Sequence, residues 1–234
     1  MGQTVVIDDR FQGPPTSGNG GYVCGVLAEG VRGTATVTLR MPPPLGVGMT
    51  LSGDGSTSQL RHGDALIGEA HVDTLDLAIP QIPTVEVAEE ASKGYRGFKD
   101  HIFPKCFVCG PDRPVGDGLR LFPGPVSQAE LVATPWQPDS SLASADGSIS
   151  RRYVWGALDC PSFFALRDVR LALLGRLTAQ IDRSPMAEES LVVFAWPTGS
   201  DGRKHYSSTA IATESGEVMA RASAVWIEIS DLPG

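Results

Sequence analysis

Long apolar runs are missing from this chain. No stretch approaches the ~18 consecutive apolar residues of a membrane-spanning helix, so no helical span is expected. Cations are scarce as well: 19 Lys and Arg face 27 Asp and Glu, for a net charge of −8. Binding to a nucleic-acid duplex needs clustered Lys and Arg to displace counterions. Here they are spread thinly, so neither nucleic acid nor an anionic membrane is an expected partner. Only four cysteines occur, Cys24, Cys106, Cys109 and Cys160, too few for a disulfide scaffold. The opening MGQTVVIDDRFQGPP has no basic, apolar, cleavable leader, which points to a cytoplasmic protein with reduced thiols. Several catalytic signatures are absent too. The four histidines show no H-E-x-x-H spacing, and no G-x-S-x-G elbow occurs. The stretch Gly18-Asn19-Gly20-Gly21-Tyr22-Val23 does not give the dinucleotide fingerprint G-x-G-x-x-G.

What is present is an ordinary globular composition. Hydrophobic residues make up 41% of 234, enough for a sizeable core. The 27 glycines and 18 prolines follow no period and fit many turns between short strands.

The order of elements reads as one unit written twice. In the first copy QTVVIDD is a strand, PPTSGNGG a turn and YVCGVLAEGV a short apolar helix. TATVTLRM, GMTLSGDG, STSQLRHG and DALIGEAHVDTLDL then follow as strands. Pro80 to Pro104 reads as a connector containing the polar run EVAEEASKGYRGFKD. The second copy has GLRLFPGP and AELVATPW as strands, a small-polar loop, the helix RRYVWGALDCPSFFAL and four further strands. GYVCGVLAE (21–29) aligns with RYVWGALDC (152–160), with Tyr, Val, Gly and Leu identical in place. GDALIGEA (63–70) aligns with GEVMARAS (216–223). Two matches in the same order on the same elements indicate duplication. One helix followed by consecutive strands is an α+β pattern, and a sheet curled around that helix buries its apolar face. Two such units joined edge to edge also hide an exposed strand.

The stretches FQGPPTSGNGGYVCGVLAEG and CFVCGPDRPVGDGLRLFPGP complete a likeness. The chain resembles a double hotdog of the thioesterase-like superfamily. The resemblance implies a tandem hotdog, with antiparallel sheets each wrapped around a central helix, near 20–30 and 152–167. It implies an N-terminal unit over 1–95 and a C-terminal unit over 105–234. Further association into a homodimer, and acyl-CoA or a related acyl thioester as substrate, also follow from it.

Two places offer chemistry. The first is the loop Asn19-Gly20-Gly21. A helix start presents unpaired N–H groups that can hold a thioester carbonyl, and glycines allow close approach. The resemblance supports substrate binding here, since Asn19-Gly20-Gly21 is similar to the family's His-Gly-Gly loop. The alternative is a plain helix cap by Asn19. The second is Asp159. In the family an acid follows the loop by nine positions. Counting nine from Asn19 reaches Ala28, whose duplicate is Asp159; Glu29 is out of helical phase. In the apolar stretch V-W-G-A-L-D-C-P a carboxylate loses hydration and its pKa rises, which prepares a base near neutral pH. The alternative is a structural acid before Pro161. The resemblance adds a strand hydroxyl and a Gln. Thr178 and Ser208 are the hydroxyl candidates, with Ser207 and Thr209 beside the latter. Gln180 is the nearby amide, and Ala224 stands where the Gln is sought.

The expected activity is hydrolysis of an acyl thioester by water that Asp159 assists. The alternative is an acyl-CoA-binding or structural protein that has lost its catalytic set. No cofactor is called for. Cys106 and Cys109 are expected to carry no metal, with Cys160 isolated on its helix and His101 too little to complete a site. Cys160 reads as a small core residue.

Overall fold

The fold is that of a computed structural model describing residues 2–231. The two apolar stretches of the duplicated signature become its central helices. In α1 (Gly20–Ala28) every residue from Gly21 to Leu27 is buried. A helix that is apolar on all sides belongs inside a fold. α3 (Arg151–Phe164) is buried from Val154 to Ser162. Val23 and Val154, the matching core positions, are both fully buried.

The alternating stretches become strands of one sheet. The first half supplies β1 (Gln3–Val6), β2 (Ala35–Leu39), β3 (Gly48–Gly53), β4 (Thr57–His62) and β5 (Ala65–Val72). The second supplies β6 (Gly124–Pro125), β7 (Val132–Trp136), β8 (Ala172–Ile181), β9 (Leu191–Asp201), β10 (Lys204–Thr213) and β11 (Val218–Glu228). The order across the eleven strands is β1-β3-β4-β5-β2-β8-β11-β10-β9-β7-β6. All neighbours pair antiparallel. The two halves meet where β2 pairs with β8, Thr36 opposite Thr178 and Val37 opposite Leu177. Outward from that junction, β5, β4 and β3 on one side answer β11, β10 and β9 on the other. The aligned segments GDALIGEA and GEVMARAS thus fall on equivalent strands, β5 and β11. This is the tandem hotdog that the resemblance implies.

Two elements differ from the sequence expectation. The polar run in the connector contains a helix, α2 (Val85–Ser92), capped by Thr84, whose Oγ1 accepts the Val87 N–H. Its apolar strip is narrow, with Ala88 and Ala91 the residues it buries, and the surrounding glutamates conceal it. Those alanines pack with Leu131, Ala133, Val192, Phe194, Ala210 and Ala212 on the sheet face opposite α3. GLRLFPGP forms a strand only at Gly124–Pro125. Its preceding residues run as an extended loop, with Leu119 and Leu121 bonding back to Phe107 and Val108.

The two central helices pack closely because α1 presents glycine at two positions four apart. A Cβ on Gly25 would stand 2.7 Å from Arg152 Cα, and one on Gly21 would lie 2.6 Å from the Trp155 carbonyl oxygen and overlap Asp159 Cβ. Beyond the crossing, Arg152 of α3 donates to Glu29 at the end of α1 (Nη2–Oε2 2.6 Å). That ion pair is partly exposed and contributes at most about 1 kcal/mol. Gly25→Val should therefore force the helices apart and lower stability by about 1–3 kcal/mol. Urea unfolding checks this: the midpoint falls with the slope unchanged. A variant as stable as the parent would show that the crossing tolerates a side chain.

Candidate active site at the start of the first helix

Close packing of α1 and α3 delivers the Asp159 carboxylate to the N-terminus of α1. Asp159 Oδ2 accepts the Gly21 N–H at 2.8 Å and an Asn19 Nδ2 hydrogen at 3.0 Å. Asn19 uses its other amide atom as a cap, Oδ1 accepting the Tyr22 N–H at 2.9 Å. Asp159 is 2% exposed, and its Oδ1 is buried with no hydrogen-bond partner. Burial drives its pKa up, the Gly21 N–H draws it down, negative charge at Cys106 raises it, and the Asn19 amide lowers it. The balance lies at about 7.

The sequence-derived residues therefore divide. Asp159, Asn19 and Gly21 meet, bonded to one another. Gly20 packs elsewhere, a Cβ there standing 3.1 Å from the Leu174 side chain. The cap reading of Asn19 holds, and its amide also bridges to Asp159, a link that sequence spacing does not reveal. The N–H groups of Gly21 and Tyr22, foreseen as donors to a substrate carbonyl, are engaged by Asp159 and Asn19.

Thr178 and Ser208 are placed away from this cluster. On β8 the core positions Leu177 and Ala179 face the helices, so Thr178 between them faces the other way. Its Oγ1 lies 2.6 Å from Thr36 Oγ1, which donates to Asp73 Oδ2 at 2.7 Å. On β10 the residue facing the helices is Ile211, so Ser207 and Thr209 share that face. Ser208 lies on the opposite face, with Ala210 and Ala212, opposite Trp196. Alternation outward from Ile211 was the signal that separates Ser207 and Thr209 from Ser208. Both helix-facing hydroxyls are buried without a partner. Gln180 bonds the Asp182 carboxylate on the same outer side as Thr178.

The cysteines also depart from expectation. Cys160 is not isolated. Its Sγ lies 3.7 Å from Cys106 Sγ, and the sulfurs of Cys106, Cys109 and Cys160 all fall within 4.8 Å of one another. Asn19 Nδ2 approaches Cys160 Sγ at 3.6 Å and Cys106 Sγ at 3.8 Å. Hydrogen bonds from the neighbouring thiols hold Cys106 well below the ordinary thiol range, while Cys109 and Cys160 are pushed above it. Tyr95 closes this side by donating from its hydroxyl to the Cys109 carbonyl.

A cavity of about 200 Å³ opens at the far end of the helix pair, lined by Gly25, Ala28, Glu29, Arg151, Trp155 and Ile181 among others. It does not include Asp159. Arg113 bonds the Arg10 carbonyl and the Asp117 carboxylate. No helix among the described residues is long and apolar enough to cross a membrane.

No protein-family profile matches the sequence, and no curated protein matches it. Solved structures do match. A protein of unknown function with a hot dog fold from Alicyclobacillus acidocaldarius aligns over 98% of this chain and 93% of its own, with a TM-score of 0.61 and 9% identity. A tesB protein of Mycobacterium avium subsp. paratuberculosis aligns over 97% of this chain and 92% of its own, with a TM-score of 0.60 and 13% identity. A candidate oleoyl thioesterase from Lactobacillus plantarum aligns over 98% and 96%, with a TM-score of 0.61 and 10% identity. At such identities the likeness is one of fold, and it extends over both halves of the chain.

The raised pKa of Asp159 makes stability depend on pH in a known direction. Unfolded, Asp159 loses its proton near 3.9; folded, it keeps it to about 7. Between those values the folded state holds a proton that the unfolded chain has released, so stability falls as pH rises. Asp159→Asn removes this dependence. From about pH 5 to about pH 8 the variant should gain roughly 2–3 kcal/mol on the parent in urea unfolding. A difference that stays constant with pH would mean that Asp159 ionises normally.

Proposed function

We propose that the chain hydrolyses acyl thioesters, with Asp159 as the general base. The observation that carries this reading is the Asp159 carboxylate, held at a helix start by Asn19 and Gly21 with Oδ1 unpartnered and a pKa of about 7. A base with that pKa is half ionised at neutral pH, where both its population and its basicity are useful. The reaction it serves is simple. Oδ1 takes a proton from water, the water oxygen bonds to the thioester carbon, the C–S bond breaks, and the proton passes to the leaving sulfur. The fold supports the choice of substrate class, since a candidate oleoyl thioesterase shares it. Acyl-CoA is the carrier we favour, on the resemblance of the sequence motifs.

One observation favours a second reading, an acyl-CoA-binding or structural protein. Asp159 is sealed from solvent, and it occupies the Gly21 N–H, a helix-start donor that a substrate carbonyl would use. Hydrolysis requires substrate to part α1 from α3 there, whereas a protein without activity can keep the contact closed.

A panel of acyl-CoA thioesters, read by thiol release, separates the two. In the hydrolase reading at least one member turns over, and the rate climbs with pH through about 7 as Asp159 ionises. Asp159→Asn keeps the shape and removes the base, and should cost roughly 10²-fold or more in turnover. Turnover that survives the substitution, or no turnover with any member, removes the hydrolase reading.

A further inference from the structure

Three buried cysteines have no part in the proposed hydrolysis, yet they converge. Cys106 and Cys109 lie on one tight turn and Cys160 on α3, with all three sulfurs within 4.8 Å of one another. They are free thiols. The 3.7 Å between Cys106 and Cys160 is far beyond the ~2.05 Å of a disulfide. It matches the ~3.8 Å edge of a tetrahedron built on zinc–sulfur bonds of ~2.3 Å.

The surroundings suit thiolates. The Asn19 amide approaches two of the three sulfurs. Gly110 closes the turn: its N–H donates to the Cys106 carbonyl at 2.9 Å, and a Cβ there would stand 2.5 Å from the Pro104 carbonyl oxygen. The Cys-x-x-Cys-Gly run is thus a compact knuckle with its donors turned inward. Soft sulfur ligands select soft or borderline cations.

We propose that Cys106, Cys109 and Cys160 form a metal site that takes Zn²⁺. The expectation that this Cys-x-x-Cys pair carries no metal rested on too few ligands, and α3 supplies the third. All three sulfurs bind as thiolates, and the protons they still carry are released as the ion binds. The product carries one net negative charge, toward which the Asn19 amide N–H is turned. His101 is not the fourth ligand. Its Nδ1 accepts the Phe103 N–H at 2.9 Å, so the neutral ring carries its proton on Nε2 and has no lone pair there to offer.

The test uses the full chain, reduced and stripped of metal, and does not read turnover, so its failure leaves the hydrolase reading untouched. Titration with Zn²⁺ against a chromophoric chelator should show one ion per chain. Titration with Co²⁺ should give thiolate-to-metal charge-transfer absorption of three-sulfur strength. Cys160→Ser should weaken Zn²⁺ binding by at least about tenfold and reduce the cobalt band to two-sulfur strength. Cys24→Ser, which changes a cysteine outside the cluster, should leave both unchanged. The proposal is overturned if the reduced parent binds neither ion in stoichiometric amount, if its cobalt spectrum shows fewer than three sulfurs, or if Cys160→Ser binds zinc as tightly as the parent. The parent's cobalt spectrum decides the matter even where Cys160→Ser fails to fold.

Discussion

The close crossing of α1 and α3 is the contact on which the rest of the structure depends. It exists because Gly21 and Gly25 bring no side chains to the interface, letting Arg152, Trp155 and Asp159 approach the α1 backbone. Each helix lies against its own half of the sheet, so the distance between helices also sets how the two halves meet at β2 and β8. Larger residues on α1 would separate the helices, and the carboxylate of one would no longer reach the N-terminus of the other. Packing here comes first, and the electrostatics of the site follow from it.

A carboxylate sealed in this way is costly when charged, and the protein offsets only part of the cost. The helix N-terminus and the Asn19 amide favour the anion, but both act on Oδ2. Oδ1 is left bare, and the neighbouring Cys106 sulfur adds negative charge, so the proton stays until about neutral pH. A carboxylate serving only as a cap would be better placed with both oxygens bonded and its pKa low. An orphaned oxygen in an otherwise satisfied cluster is a feature that stability alone does not favour.

Much of this was legible in the sequence because the physics is local or periodic. The apolar helices, the alternating strands and their duplication are patterns of one face against another, and they foretell the tandem unit. The helical phase that separates Asp159 from Glu29 is seen in their places: Asp159 is buried between the helices, and Glu29 meets Arg152 at the helix end. What was not legible depends on which face of the sheet points inward. Ser208 is flanked by Ser207 and Thr209, and nothing in HYSSTAIAT announces its parity until Ile211 is known to be core. Helix α2 was hidden for a similar reason, its buried strip being two alanines wide among glutamates. The sulfur cluster joins residues 106, 109 and 160, and the spacing of a turn and a helix does not reveal their meeting.

The two halves are alike in topology and unlike at their helix starts. By the duplication, Asp159 and Ala28 are equivalent positions, each near the start of the opposite helix. α3 begins on its own Ser150, whose Oγ accepts the Arg152 N–H, and the carboxylate at the end of α1, Glu29, bonds the Arg152 side chain. Where the second copy fills the interface with Asp159, the first has the methyl group of Ala28, and the space beside it is the cavity that Arg151 and Trp155 line. A symmetric pair of carboxylates would bury two charges in one core. Keeping one limits the cost to a single site and leaves a cavity at the other end of the helix pair. The duplication thus provides two equivalent frames, and the proposed base, Asn19 and the proposed sulfur ligands all stand at one of them.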